Sequence, residues 1–303
     1  MRQFDFMGKR RLAFIVSGVM LLVSLLSLLF QQLNLGLDFT GGTLVEIRYA
    51  AAPALEAVRQ ALESAGFSNV SVQTFGAPSE ILVRLQQAFD PGVGQQVTEV
   101  LRQSGENVSL VRAEFVGAQV GGQLRDQSGL GMLVALGAVV LYVALRFQYK
   151  FSLGALLALV HDVIIVLGVF SLFQIDFDLT VLAAVLAVIG YSLNDTIIVY
   201  DRIRENIRKS RIEHMPTIFN EAINQTLSRT LATSGTTLLV LLALLTLGGD
   251  MIQNFALALI IGVGVGTYSS VYVASALLIS VKLQREDLMP AQKENADGEE
   301  ELP

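Results

Sequence analysis

The chain has 303 residues, 52% of them apolar and only 16% charged, and it carries a formal net charge of −6 with neither cysteine nor tryptophan. A mean hydropathy of +0.56 excludes an ordinary water-soluble enzyme and points to a chain solvated partly by lipid. The acidic balance gives no support to a nucleic-acid surface, and the lack of cysteine excludes disulfides, a thiolate nucleophile and a Cys-ligated zinc.

A bilayer core of ~30 Å takes about 20 apolar residues in a helix, and six segments meet that length. In chain order they are Leu12–Phe30, Gln127–Leu145, Phe151–Ile175, Leu179–Tyr200, Thr230–Gly249 and Met251–Val281. Lys9, Arg10 and Arg11 ahead of the first segment could also open a signal peptide. That run is longer than the ~7–15 residues of a signal core, and residues 24–34 contain no small-x-small cleavage site, so an uncleaved anchor is expected. Basic residues cluster in 1–11, 146–150, 201–229 and 282–303, while the short connections at 174–178 and 250 have none. The positive-inside rule therefore predicts a cytoplasmic N-terminus at 1–11, a cytoplasmic C-terminus, and residues 31–126 outside.

Residues 31–126 form the one substantial water-soluble block. Val45, Ile47 and Tyr49 alternate as in a strand, and Leu55, Val58 and Leu62 follow Pro53 at helical spacing. Two strands come next, marked by Val70 and Val72 and by Ile81, Val83 and Leu85, with Gly76-Ala77-Pro78-Ser79 as the turn between them. Pro91 then starts a helix carrying Val93, Val97, Val100 and Leu101, before a last strand at Val108 and Leu110. The order β-α-β-β-α-β suggests a small α/β ferredoxin-like domain. Residues 127–281 hold the remaining five spans, and the acidic, apolar-poor tail at 282–303 reads as disordered.

No phosphate-cradling G-x-x-x-x-G-K-[ST] is present, which argues against an ATPase. The string Gly262-Val263-Gly264-Val265-Gly266 lies inside an apolar span and reads as a helix-packing surface rather than a ligand loop. His161 and His214 are isolated from other ligand types, so neither a metal nor a cofactor is expected.

The informative residues are ionisable groups within the spans, because a charge at mid-membrane costs ~2.5–3.5 kcal/mol even on insertion scales. Asp162, beside His161, sits near the middle of the third span, and Asp195 lies nearer the cytoplasmic side of the fourth. Tyr191 and Asp195 are four residues apart with Asn194 alongside, which predicts a polar patch of hydroxyl, amide and carboxyl. At the start of the fifth span Arg229, Thr233 and Thr236 share a helical face, and depth permits Arg229 to partner Asp195. Such groups either join helices through hydrogen bonds, worth ~0.6 kcal/mol on average, or relay protons, with a movable Arg as the switch.

Several strings resemble one family, SecF, the smaller membrane subunit of the bacterial SecDF protein-export complex. They are Gly36-Leu37-Asp38-Phe39-Thr40-Gly41-Gly42-Thr43, His161-Asp162-Val163, Val188-Ile189-Gly190-Tyr191-Ser192-Leu193-Asn194-Asp195-Thr196 running into Asp201-Arg202-Ile203-Arg204-Glu205-Asn206, and Ser228-Arg229-Thr230-Leu231-Ala232-Thr233-Ser234-Gly235-Thr236-Thr237. The resemblance implies a polytopic α-helical protein of the bacterial inner membrane, with residues 31–126 in the periplasm, whose six spans form half of an RND-like bundle completed by SecD. It further implies a non-enzymatic subunit that uses the proton-motive force with SecD to draw unfolded preprotein through a SecYEG-type Sec channel and its accessory proteins. The family's proton-relay residues map onto Asp195 and Arg229, with Asn194 and Tyr191 beside them and Asp162 by a looser match. Phe147-Gln148-Tyr149-Lys150 departs from the pattern, which has an acidic residue followed by Trp there. An RND-like small-molecule exporter subunit and a passive scaffold of the translocase are the alternatives. With 11 residues before the first span and a short tail after the sixth, SecD is expected as a separate chain.

Overall fold

The computed structural model describes residues 4–68, 70–75, 77–85, 90–104, 107–210, 214–283 and 287. Six helical spans are long and apolar enough to cross a membrane. They are α1 (Arg10–Phe30), α5 (Ala118–Arg146), α6 (Tyr149–Leu172), α7 (Leu179–Lys209), α8 (Met215–Leu247), and a sixth built from α9 (Asp250–Tyr268), a π-helical stretch (Ser269–Ala274) and α10 (Ser275–Ser280). The third, fourth and sixth spans form the buried centre, while α1, α5 and α8 lie outside them. The ends differ from the sequence windows in a regular way. At ~1.5 Å per residue α7 is ~46 Å long, more than a ~30 Å core, so the polar turns Asp201–Lys209 extend it past its apolar window. For the same reason α5 starts at Ala118, ahead of Arg125 and Asp126.

Between the first two spans, β1 (Gly42–Tyr49), β2 (Ser71–Phe75), β3 (Ala77–Leu85) and β4 (Val108–Val116) form one sheet in the order β2-β3-β1-β4. Every neighbouring pair is antiparallel. The helices α3 (Leu55–Ser64) and α4 (Val93–Gln103) pack on it, giving the expected succession β-α-β-β-α-β. Alternation decides the faces: Val45, Ile47 and Tyr49 enter the core with Val58, Leu62, Val83 and Leu101. On the opposite face Glu46 accepts a 2.5 Å hydrogen bond from Arg112 of β4, which holds that guanidinium above its ordinary pKa, and Arg48 pairs with Glu80 of β3 at 2.7 Å.

The expected turn Gly76-Ala77-Pro78-Ser79 is corrected. β3 already begins at Ala77, and the connection narrows to Gly76, which lies outside the described residues. Pro78 is tolerated inside the strand because pairing with β1 starts only at Glu80, opposite Arg48, so no ladder partner needs its missing N–H. Of the tail read as disordered, Lys282, Leu283 and Asp287 are described: Leu283 is buried and Asp287 pairs with Lys150 at 2.5 Å. Residues 284–286 and 288–303 lie outside the described set.

The domain is fastened to the bundle. Gly36 donates its N–H to the Phe177 carbonyl and Phe177 donates to Asn34, each at 2.8 Å, in the connection between α6 and α7. Asp176 in that connection receives Asn34 Nδ2 at 2.7 Å and the Arg84 guanidinium at 3.2 and 2.9 Å. The short helix α2 (Leu37–Thr40) contributes Asp38, whose carboxylate accepts the N–H of Leu179, the first residue of α7, at 3.1 Å. Gly42, at φ +134°, then lets the chain turn into β1 where any Cβ would fall 2.5 Å from the Leu85 carbonyl.

Candidate functional site

The two intramembrane carboxyls have different surroundings. Asp162 on α6 is fully buried. Its Oδ1 lies 2.8 Å from His161 Nδ1, and its Oδ2 accepts from Ser192 of α7 at 2.5 Å and from Ser269 of the π-helical stretch at 2.7 Å. His161 and Asp162, adjacent in sequence, are thus in direct contact, and the two serines make Asp162 the point where three spans meet. The π geometry falls at this junction, as such bulges often do where a side chain enters the helical ladder. One carbonyl there, that of Ala274, receives the Tyr200 hydroxyl at 3.0 Å.

Asp195 lies one turn beyond Ser192 on α7 and is only 2% exposed, yet its Oδ2 has no hydrogen-bond partner. Thr230 Oγ1 and His161 Nε2 share that condition within the apolar windows of their spans, as Gln148 Oε1 and Arg204 Nε do outside them. Buried polar atoms are nearly always satisfied, so three orphans within apolar spans mark places where a proton, a water or a moving partner completes the bonding. Arg229 of α8 acts on Asp195 as a positive charge through space, without a direct ion pair among the described residues.

The predicted patch of Tyr191, Asn194 and Asp195 divides. Tyr191 donates to Ser234 of α8 at 3.1 Å, Ser234 meets Thr267 of α9 at 2.7 Å, Asp195 points inward and Asn194 is exposed. A step of ~100° per residue separates adjacent side chains, so neighbours in sequence cannot share a face as residues four apart do. Arg229, Thr233 and Thr236 do share an exposed face, as their spacing predicts, and the two threonine hydroxyls bond to their own helix's carbonyls. Beside it runs an exposed stripe of small residues on α7, Ala183, Ala187 and Gly190, ending at Asn194.

Sequence reasoning missed Ser192, Ser269 and Thr230 as members of the site. A serine pair at Ser269-Ser270 inside an otherwise apolar span was the available signal. The glycine string, by contrast, packs helices as expected: Gly262 faces Val188 and Gly266 faces Ser192, so α9 lies close against α7. At the departure from the family pattern, Phe147 stacks on Phe151 with ring centroids 6.1 Å apart, and Gln148 Oε1 is buried without a partner. Among the described residues no three His, Asp or Glu side chains converge as a metal site would require.

Comparison with known proteins agrees across the whole length. Residues 96–284 match the family model for the C-terminal region of the protein export membrane proteins SecD and SecF, and residues 26–52 match the SecD/SecF GG motif. The chain is 52% identical to the protein translocase subunit SecF of Pseudomonas aeruginosa over 95% of this chain and 94% of that one. It is 49% identical to the Vibrio alginolyticus subunit, covering 100% of this chain and 98% of that one. The crystal structure of SecDF, a translocon-associated membrane protein from Thermus thermophilus, superposes with a TM-score of 0.84 at 39% identity, over 93% of this chain and 39% of that one. The GG segment that fastens the domain, the buried carboxyls and the six spans thus lie within the matched regions, and the chain belongs to the SecF family of protein translocase subunits.

Proposed function

We propose that this chain is the SecF half of a SecD–SecF unit that converts the proton-motive force into movement assisting preprotein export through a SecYEG-type channel. In this reading Asp195 is the titrating group, Arg229 its switchable counter-charge, and the domain at 31–126 lies in the periplasm with both termini in the cytoplasm. The observation that carries it is a carboxyl 2% exposed within a membrane span, with one oxygen unpartnered and a guanidinium acting on it from the next helix. An isolated structural carboxyl would be expected to have both oxygens bonded, as Asp162 does.

The outer surface supports a paired assembly. Asn194, Arg229, Thr233 and Thr236 are exposed along apolar spans, and leaving such groups against lipid tails is costly. A second half-bundle of the SecD type would cover them and place its own polar groups opposite Asp195. The SecDF chain from Thermus thermophilus is spanned by this one over 39% of its length. The test is export in cells whose only SecF is Asp195→Asn. Loss of the proton-dependent component with normal protein levels is expected, and undiminished export would remove Asp195 from the relay. Asp195→Asn together with Arg229→Gln separates the relay from a passive scaffold, which would keep its function.

A further inference from the structure

The end of the bundle opposite the domain carries a feature that proton transfer does not use. A pocket of about 410 Å³ opens between α5 and α7, lined by Arg146, Asp201, Arg204, Glu205, Arg208 and Lys209. Both acids are already engaged: Asp201 pairs with Arg146 at 3.0 Å, and Glu205 with Arg202 at 2.8 Å and Lys209 at 2.6 Å. Arg204 is different. Its Nε is buried and has no hydrogen-bond partner, and none of its nitrogens makes an ion pair among the described residues. A guanidinium that lines a pocket while its Nε lacks an acceptor is a place for an anion.

On its other side α5 borders a second cavity, shared mainly with α6 and closed by Leu193 of α7. A cleft of about 310 Å³ lies among Val139, Val143 and Ala144 of α5, Ser152 and Leu156 of α6, and Leu193 of α7. Its lining is almost wholly apolar. On α7, Leu193 and Arg204 are eleven residues apart, which at 100° per residue returns them to one face, and at ~1.5 Å per residue separates them by ~16 Å. One leaflet of a ~30 Å core is ~15 Å deep. Cleft and pocket are therefore spaced as the acyl chain and the headgroup of one lipid.

We propose that the end of α5, where it meets α6 and α7, is a binding site for an anionic glycerophospholipid, its phosphate held by Arg204 beside Arg146 and one acyl chain lying in the apolar cleft between α5 and α6. A phosphodiester oxygen supplies the acceptor that Arg204 Nε lacks, and the forked guanidinium suits two such oxygens. Basic pockets between transmembrane helices are established as the kind of site that takes acidic headgroups. The zwitterionic headgroup of phosphatidylcholine would bring a further cation to a pocket already lined by four basic side chains.

The experiment uses the purified full-length chain in detergent, with dioleoyl-phosphatidylglycerol, dioleoyl-phosphatidylcholine or inorganic phosphate added and lipid retention read by native mass spectrometry. Phosphatidylglycerol should be retained about five- to tenfold more tightly than phosphatidylcholine. Arg204→Gln should bring the two lipids level, while Arg202→Gln, whose guanidinium is engaged by Glu205 outside the pocket lining, should leave the preference intact. Ala144→Phe fills the cleft without touching Arg204 and should weaken retention of both lipids, which keeps the test decisive if the Arg204 variant does not fold. Equal retention of the two lipids by the unmodified chain, a preference that survives Arg204→Gln, or unchanged retention by Ala144→Phe would each overturn the proposal. Displacement of phosphatidylglycerol by millimolar inorganic phosphate would show a free-anion site and overturn the lipid assignment.

Discussion

Replacing Gly262 by alanine tests whether close contact between α7 and α9 sets the geometry of the buried carboxyl. A Cβ at Gly262 would lie 2.1, 2.7 and 2.9 Å from Val188 Cγ2, Cγ1 and Cβ. Carbon atoms rest at ~3.5 Å or more, so the helices must part locally by about 1.4 Å or Val188, which is 1% exposed, must leave its rotamer. Overpacking of this kind costs about 1–3 kcal/mol. One turn further along, Gly266 packs on Ser192, and Ser192 and Ser269 converge on the same Asp162 oxygen from 2.5 and 2.7 Å. Parting α7 from α9 draws these donors apart, and losing one such bond in a membrane adds about 0.6–1.7 kcal/mol. The expected destabilisation is about 2–4 kcal/mol.

The control is internal: a Cβ at Gly264 meets nothing within 4 Å, so Gly264→Ala should be neutral or, through helix propensity, stabilising by up to about 1 kcal/mol. With neither Trp nor Cys in the chain, unfolding is best followed as loss of the monodisperse size-exclusion peak after heating. Gly262→Ala should melt clearly below the unmodified chain, and adding Val188→Ala, which removes both clashing Cγ atoms, should recover much of the loss. The reasoning fails if Gly262→Ala melts with the unmodified chain, or if the double variant is no better than the single one.

Three further outcomes follow from the contacts at either end of the bundle. Asn220 accepts the N–H groups of Phe6 and Met7 at 2.9 and 2.8 Å, so Asn220→Ala should release the N-terminal strap at a cost of about 1–2 kcal/mol, seen as faster amide exchange at those residues; unchanged protection would refute it. Asp5 is held below its ordinary pKa of 3.8, first by the Gly8 N–H and then by the Asn220 side chain. Its contribution to the strap is thus present above the ordinary value and lost as pH falls through the lowered one, so acid should lower the exchange protection of Gly8, relative to an unstructured chain at the same pH, in the unmodified chain but not in Asp5→Asn. Arg84 and Asp176, 15% and 14% exposed, join the domain to the α6–α7 connection, and a double-mutant cycle to alanine should give a coupling of about 1–2 kcal/mol; additivity within ~0.3 kcal/mol would show that the pair fastens nothing.

Much of this arrangement was legible because lipid imposes length and apolarity on every span, and a 3.6-residue period then places side chains around each helix. Arg229, Thr233 and Thr236 shared a face for that reason, and Gly262 and Gly266 were readable as packing positions. What depends on register between helices was not legible. Ser192 and Ser269 reach Asp162 from two other spans, and no local pattern encodes how far one helix slides along another. The π-helical stretch at 269–274 is a further break, because one wider turn shifts every later residue of the span relative to an α-helical wheel. The division of Tyr191, Asn194 and Asp195 was predictable from angle alone, and grouping them by proximity in sequence hid it.

The fastening of the GG segment has a mechanical consequence. The bonds at Phe177 and Leu179 grip α7 at its very first turn, and Asp195 lies sixteen residues along the same rod, ~24 Å away. A tilt of about 5° around Asp195 would swing that first turn by ~2 Å, more than a 2.8 Å hydrogen bond can stretch and survive. Any rocking of α7 at the carboxyl therefore either carries the sheet domain with it or strips the GG segment from its seat, so the helix works as a lever with the domain as its load.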